Sequence, residues 1–281
     1  MRLTVLGCGP ASPQPDTPAS GLLVESEATT ILLDCGQGVA GQLLRRMEPA
    51  RLSAVIIGHM HADHFIDLSA LRYRFNWGER TDARLPVLLP PGGRTRFAEL
   101  AAVVSERRTF FDDAFEVREY DPAVEERIGT LSVAYLPGRH YVPAWGVAIT
   151  DPAGRRIVYA GDTGPNPDLI EPASEADLLV LEATLTEAAE DDPVRRGHLT
   201  LDEALEHATA ARAQRTLITH YPSARRAAME ARLKEYGGSA VLARPDLSIE
   251  IAPPGIAEHR YGRGSGSSQP SVRRVRAATR G

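Results

Sequence analysis

Residues 56–65 read IIGHMHADHF, and within six positions they hold three of the chain's eight histidines and an aspartate. The run SAVIIG at 53–58 predicts a buried strand, so these polar groups follow a strand end. In a protein core each of the four would need its own hydrogen-bond partner, which argues against a purely structural role. Imidazole and carboxylate suit zinc, iron or manganese and require no thiolate. The stretch therefore predicts a metal site at His59, His61, Asp63 and His64.

The composition, 43% hydrophobic and 25% charged, is ordinary for a soluble globular protein. No apolar run approaches the roughly eighteen residues that a membrane span requires, and the start MRLTVLGCGP lacks the apolar core of a signal peptide. With Cys8 and Cys35 as its two cysteines the chain has no disulfide framework, although the two could lie close together. We therefore expect a cytoplasmic protein without a membrane partner.

The net charge of −5 conceals an uneven distribution. Residues 260–281 hold six arginines and no acid, and without them the balance changes from 32 basic against 37 acidic residues to 26 against 37. An acidic body argues against a protein that grips long polyanions. The segment 260–281 is rich in Gly, Ser and Arg and has no apolar periodicity, so we expect a disordered basic tail after one domain over 1–259.

Short apolar runs alternate with helical patterns along the chain, which predicts an α/β layered domain. Helical patterns fit residues 37–47, 93–104, 200–211 and 224–236. Strand-like runs fit residues 2–7, 22–25, 30–34, 54–58, 86–90, 115–120, 131–136, 145–150, 156–160, 178–182, 216–220 and 247–251.

Four further polar residues follow strand-like runs in a fixed order. They are Asp34 in ILLDCGQG, His140 in YLPGRHYV, Asp162 in YAGDTG and His220 in TLITHY. Together with HMHADH this series resembles the metallo-β-lactamase fold superfamily, and the resemblance spans roughly residues 1–252. It implies a four-layer αββα sandwich that carries its metals at one edge, between the two sheets.

The resemblance also implies a ligand scheme for two divalent metal ions. Zinc is the expected metal, although nitrogen and oxygen ligands also accept manganese or iron. Asp34 would lie behind the ligands and orient a histidine. Asp63 could act as ligand, general base or both. One ion would bind His59, His61 and His140, the other Asp63, His64 and His220, with Asp162 between them.

Three more stretches resemble the tRNase Z branch of the superfamily, which includes phosphodiesterase relatives, and one of them is LGCGPASPQPDTPASGLLVE at 6–25. In RRGHLTLDEAL, Thr200 and Glu203 form the T-x-x-E pattern of a helix-capping box, so His198 lies just before a helix. In LLVLEATL, Glu182 ends a strand. The branch carries a histidine followed directly by Ser or Thr, and a HEAT element on a strand. In this chain Leu199 separates His198 from Thr200, and Leu181 stands in place of the histidine of HEAT.

The resemblance implies that His198 donates a proton to the leaving oxygen or stabilises charge on the phosphoryl group, and that Glu182 orients it. From the residues alone, His198 could also be a solvent-exposed residue near a helix cap, and Glu182 an ordinary strand-end carboxylate. His207 and His259 match no position of the pattern and are interpreted as surface or core residues.

The spacing of the later ligands bears on the substrate. The tRNA-processing enzymes insert a long arm between the lone histidine and the bridging aspartate, whereas here 21 residues separate His140 from Asp162. The predicted function is therefore hydrolysis of a small phosphodiester, foremost a cyclic nucleotide, by a metal-activated hydroxide. A tRNA 3′ processing endonuclease is the alternative, and a thioester or lactam hydrolase of the same fold is a further one.

Aromatic residues near the motifs could stack on a nucleotide base, although core packing is the more common role of such residues. The resemblance is also compatible with a homodimer. The aromatic residues concerned are Tyr73, Phe75, Trp77, Tyr141 and Trp145.

Overall fold

The computed structural model describes residues 1–77, 84–188 and 195–252. The predicted basic tail at 260–281 and His259 lie outside these residues. The helices of the described part are α1 (Val39–Leu44), α2 (Ala62–Phe65), α3 (Leu68–Trp77), α4 (Gly93–Ser105), α5 (Leu201–Ala210) and α6 (Arg226–Tyr236). The strands are β1 (Arg2–Gly7), β2 (Gly21–Ser26), β3 (Thr29–Leu33), β4 (Ala54–Ile56), β5 (Leu85–Leu89), β6 (Phe115–Glu119), β7 (Glu126–Ile128), β8 (Leu131–Pro137), β9 (Trp145–Thr150), β10 (Arg156–Tyr159), β11 (Leu178–Glu182), β12 (Thr216–Thr219), β13 (Ala240–Leu242) and β14 (Ser248–Glu250).

The strands form two mixed sheets. The first has the order β14-β1-β2-β3-β4-β5-β6, and the second has the order β13-β12-β11-β10-β9-β8-β7. In each sheet one half is parallel, β3 to β6 in the first and β10 to β13 in the second. Because parallel strands end at the same edge of a sheet, the loops after β3, β4, β10, β11 and β12 can converge.

Alternating side chains along the strands separate three apolar cores. Ile31 and Leu33 of β3 lie in the core between the sheets, which also contains Val147 and Val180 of the second sheet. Leu32, between them, faces the opposite side, where the first sheet packs on α1, α3 and α4. A third core joins the outer face of the second sheet to α5 and α6. This alternation has the period of two that a pleated strand imposes, and it confirms the predicted four-layer αββα sandwich.

The predicted strands are present to within two residues at their ends, but four elements, β7, β13, α2 and α3, have no counterpart in the prediction. Strands β7 and β13 lie at sheet edges and contain three residues each, which are too few to show a period of two. Helix α3 has the sequence LSALRYRFNW, whose arginines interrupt an apolar stripe.

Both cysteines are buried and free, so they form no disulfide. Burial raises the pKa of Cys8 to about 12 and that of Cys35 well above its ordinary value. Among the described helices, none combines the length and apolar character needed to cross a bilayer.

Candidate active site

The loops after the parallel strands, together with the loop after the antiparallel strand β8 that carries His140, bring the predicted residues together at one edge of the two sheets. After β4 the chain continues through His59 to His61, which begins α2 in an extended conformation. Asp63 and His64 then lie within this single helical turn. The helix packs closely on the loop after β3, since a side chain at Gly36 would lie 1.8 Å from the Asp63 carbonyl oxygen. His59 and His61 therefore precede the helix, and His64 lies within it. The ring centre of His59 is 4.7 Å from that of His61 and 4.0 Å from that of His64.

One group of potential metal ligands consists of His59, His61 and His140. The Nδ1 atom of His61 lies 3.0 Å from Nε2 of His59 and 3.0 Å from Nε2 of His140. The Nδ1–H of His140 donates to the carbonyl oxygen of Gly197 at 2.7 Å, which leaves Nε2 free to bind a cation. Burial lowers the pKa of all three imidazoles, that of His140 to about 4, so the neutral form that ligates metals is favoured.

A second group consists of Asp63, His64, Asp162 and His220, all buried. Oδ2 of Asp162 lies 3.3 Å from Nε2 of His64 and 3.4 Å from Nε2 of His220. Oδ2 of Asp63 lies 3.1 Å from the same nitrogen of His220. Oδ2 of Asp162 is also 3.9 Å from Nε2 of His59, so this carboxylate lies between the two groups.

Two polar atoms of the second group are left without a hydrogen-bond partner within the described part of the chain. Nε2 of His64 and Oδ1 of Asp162 are buried, and neither has a hydrogen-bond partner among the described residues. Buried polar atoms are otherwise almost always paired. Imidazole nitrogens and carboxylate oxygens that converge in this way fit divalent metal ions such as zinc. The two groups could therefore hold such ions.

Asp34 lies behind His64, as the resemblance implied. Its Oδ2 accepts hydrogen bonds from Nδ1 of His64 and from the Tyr159 hydroxyl, each at 2.8 Å. Its Oδ1 accepts from the backbone N–H of Gly58 at 2.9 Å. Asp34 has a φ of 59°, a left-handed conformation that Asp and Asn tolerate better than most residues. The carboxylate thus fixes the His64 ring with Nε2 directed at the second group.

Glu182 is fully buried at the end of β11 and accepts four hydrogen bonds. Its Oε1 accepts from Nδ1 of His198 at 2.7 Å and from the backbone N–H of Thr163 at 3.1 Å. Its Oε2 accepts from the hydroxyl of Thr184 at 2.6 Å and from the backbone N–H of the same residue at 3.1 Å. The carboxylate is therefore held rigidly against His198.

His198 lies beside both groups of ligands. Its side chain is 18% exposed, and Nδ1 lies 4.0 Å from Oδ2 of Asp162. Its ring centre is 4.9 Å from that of His140. Burial opposes protonation, but the hydrogen bond and charge of Glu182 outweigh it and raise the pKa of His198. The predicted capping box of α5 is present, with Thr200 and Glu203 bonded reciprocally.

Of the predicted stacking aromatics, Tyr141 borders the site. It is 61% exposed, and its ring centre lies 5.2 Å from that of His140 and 5.7 Å from that of His198. Phe75 and Trp145 pack against the apolar cores instead. Tyr73 packs edge-on against Phe110. The side chain of Trp77 lies outside the described part of the structure.

Several residues that sequence reasoning did not identify support the site. Tyr159 bonds Asp34, and the buried guanidinium of Arg196 pairs with Glu203 and donates to the His198 carbonyl oxygen at 3.2 Å. His207 accepts from the backbone N–H of Asn166 at 3.0 Å and so braces the loop that follows Asp162. The partners of Tyr159 and His207 lie far from them in sequence, so the spacing of these two residues carries no signal.

We expect Asp34→Asn to destabilise the metal-free protein. The amide nitrogen would face a donor, and at least one buried N–H or O–H would lose its acceptor, at a cost of about 1–3 kcal/mol. Tyr159→Phe, which removes one hydrogen bond to the same oxygen, should cost about 1 kcal/mol. Urea unfolding after chelation measures both, and equal stability of Asp34→Asn and wild type would contradict the assigned network.

A family model described as beta-lactamase superfamily domain matches residues 29–221. The uncharacterized protein ML1173 of Mycobacterium leprae is 35% identical over 228 residues, which cover 79% of this chain and 78% of that protein. Ribonuclease Z of Ignicoccus hospitalis is 28% identical over 268 residues, which cover 78% of this chain and 87% of the ribonuclease.

YhfI of Bacillus subtilis is 27% identical over 225 residues, which cover 79% of this chain and 87% of YhfI. The crystal structure of this metallo-beta-lactamase fold protein superposes with a TM-score of 0.77, covering 88% of this chain and 98% of YhfI. The two alignments cover nearly the same share of this chain, 78% and 79%, but the one with the ribonuclease spans 268 residues and the one with YhfI spans 225. The ribonuclease therefore carries inserted residues relative to this chain. The chain belongs to the β-lactamase superfamily, near the ribonuclease Z and YhfI proteins, and is a metal-dependent hydrolase.

Proposed function

We propose that this hydrolase is a dinuclear phosphodiesterase that cleaves a small phosphodiester, with a cyclic nucleotide as the foremost candidate. The observation that carries the proposal is the pair formed by His198 and Glu182, 2.7 Å apart and adjacent to both ligand groups. Hydrolysis of a phosphodiester needs a proton for the leaving oxygen, and a histidine held beside the metals can supply it.

The metals would be held by the two groups described above. His59, His61 and His140 would bind one ion, while Asp63, His64 and His220 would bind the other, and Asp162 would contact both. Divalent cations bound there would polarise the phosphoryl oxygens, neutralise developing negative charge and lower the pKa of water.

The chain's own side chains supply the remaining roles. Because Nδ1 of His198 donates to Glu182, Nε2 is the nitrogen left to protonate the leaving oxygen. Asp63 is mostly buried, but its contact with His220 and the charge of His64 outweigh the burial and lower its pKa. A carboxylate that stays ionised and lies 3.1 Å from His220 suits a metal ligand better than a general base.

The short connection between His140 and Asp162 supports a small substrate. All of these residues are described, and they form β9, a turn at 151–155 and β10. No length remains for an arm that could grip a folded RNA. The acidic charge balance of residues 1–259 also disfavours a large polyanion.

Cleavage of precursor tRNA at its 3′ side is the second candidate. It is favoured by the ribonuclease Z relatives, one of which is 28% identical over most of this chain. The two candidates separate when metal-loaded protein is given cyclic AMP, cyclic GMP, 2′,3′-cyclic nucleotides and precursor tRNA in parallel. Site-specific cleavage of the tRNA, without hydrolysis of any cyclic nucleotide, would overturn the proposal.

Asp162→Asn should remove bound metal and activity together. The substitution takes a negative charge from the oxygen that lies between both ligand groups, while the shape of the side chain is retained. We expect the metal content after gel filtration, measured by plasma mass spectrometry, to fall by about one ion or more per chain. Asp168→Asn, at a largely exposed carboxylate paired with Arg139, is the matched control and should retain the metal. Full metal content in Asp162→Asn would contradict the ligand scheme.

His198→Gln should retain the metals and lower kcat by about 10²–10⁴-fold for a diester with a poor leaving group, because the proton donor is lost. For bis(p-nitrophenyl) phosphate, whose leaving group needs little protonation, the loss should be much smaller.

The second substrate distinguishes proton donation from collapse of the site. An equal loss for both leaving groups would count against a proton-donating role, and metal content measured on the same samples excludes a loss of ions. His207→Gln provides a matched histidine variant, since its ring braces a loop and does not reach the ligands.

Tyr141→Leu should reduce kcat/KM for a cyclic nucleotide more than for a diester without a base. The exposed ring beside His198 offers a stacking surface, and such stacking contributes about 1–3 kcal/mol per base. The expected loss is therefore about tenfold for the nucleotide, whereas dimethyl or bis(p-nitrophenyl) phosphate serves as reference. Tyr141→Phe should behave as wild type. Equal losses for base-bearing and base-free substrates would refute the stacking role.

A further inference from the structure

The hydroxyl of Thr184 lies between Glu182, which holds His198, and His220 of the second ligand group. Its Oγ1 lies 2.6 Å from Oε2 of Glu182 and 2.7 Å from Nδ1 of His220. It is also 2.9 Å from the carbonyl oxygen of His220. Thr184 belongs to the loop that follows β11, and His220 directly follows the neighbouring strand β12, so the hydroxyl crosses from one strand end to the next.

The single proton of this hydroxyl can serve one acceptor fully. The carboxylate of Glu182 is charged and lies closer than the carbonyl oxygen of His220, so it is the stronger acceptor. With that proton committed, Oγ1 has lone pairs to offer, and Nδ1 of His220 must be the donor across the 2.7 Å contact. A neutral imidazole with its proton on Nδ1 carries the free lone pair on Nε2.

Nε2 of His220 is the atom that faces the second ligand group. It lies 3.1 Å from Oδ2 of Asp63 and 3.4 Å from Oδ2 of Asp162. His220 also has a left-handed φ of 53°, a strained backbone conformation that persists where surrounding contacts hold the residue. Thr184 supplies one such contact at Nδ1, and its hydroxyl selects the tautomer of the ring.

We propose that Thr184 is a positioning residue that prepares His220 to bind metal and, through Glu182, links this ligand to His198. The inference rests on the proposed function and extends it to a residue that touches neither metal nor substrate. Glu182 receives Thr184 on one oxygen and His198 on the other, so a displacement of the hydroxyl reaches both the ligand and the proton donor.

A purely structural role for Thr184 would make different predictions. The hydroxyl and backbone N–H of Thr184 also tie down the loop after β11, so its loss could destabilise the fold without altering metal binding. Thr184→Val keeps the shape and removes the hydroxyl, while Thr184→Ser keeps the hydroxyl and removes the methyl group.

Thr4→Val is the matched control. Thr4 is buried on β1, and its hydroxyl lies 2.9 Å from that of Ser248 on β14, at a pairing between neighbouring strands. It therefore reports the cost of losing a buried threonine hydroxyl outside the ligand groups.

The test measures zinc affinity by competition with a chromophoric chelator, and thermal unfolding of the metal-free proteins. We expect Thr184→Val to weaken the second zinc-binding step about 10–100-fold, the usual effect of removing the partner of a ligating histidine. Thr184→Ser should restore the affinity to within about threefold of wild type, and Thr4→Val should bind as wild type whatever its stability.

Two outcomes overturn different claims. If Thr184→Val binds zinc as tightly as wild type and only its metal-free unfolding temperature falls, the positioning role is wrong and the proposed function stands. If wild type binds no divalent metal under these conditions, the proposed function itself fails. Because both readouts are independent of substrate, an error in the choice of phosphodiester affects neither.

Discussion

Four buried carboxylates at one edge between two sheets impose the main constraint on this structure. Burying a carboxylate is costly unless donors or cations compensate its charge. Asp34 and Glu182 are compensated by the protein itself, since they accept three and four hydrogen bonds. Asp63 and Asp162 face mainly imidazole rings, and Oδ1 of Asp162 has no partner among the described residues. Asp34 and Glu182 therefore form a rigid frame. The negative charge of Asp63 and Asp162 is only partly compensated by the protein, and divalent cations can compensate the rest.

The sheet arrangement explains how this frame is assembled from distant segments. The parallel halves of both sheets direct their carboxyl ends toward the same edge, and the site residues follow these strands, except for His140, which follows the antiparallel strand β8. The three apolar cores hold the strands in register. The apolar residues that stabilise the fold thus lie along the strands, whereas the polar residues of the site follow the strand ends.

This separation also determines what the sequence can reveal. The strands, and the cluster of polar residues that follows one of them, were predictable because an apolar run followed by histidine or aspartate is a local pattern, as at 53–64. Short edge strands such as β7 carry too few buried residues to show a period. Thr184, Tyr159 and His207 were not predictable as parts of the site, because each acts through a contact between segments that are remote in sequence. Such contacts depend on tertiary packing and leave no spacing rule.

The two departures from the tRNase Z pattern fall where they cannot disturb the chemistry. Along β11, Val180 and Glu182 face the core between the sheets and the site, so Leu181 faces the helical layer. A histidine at that position would be directed away from the ligand groups, whereas leucine packs in the core that contains α5. Leu199 is fully buried in the same apolar core, and its carbonyl oxygen accepts from the backbone N–H of Leu185 at 3.0 Å. The inserted residue thus anchors the segment between His198 and the cap of α5, so that the histidine can face the ligands while Thr200 still begins the helix. Differences of substrate among such relatives should therefore be sought in the exposed rim around Tyr141, since both departures are absorbed by packing.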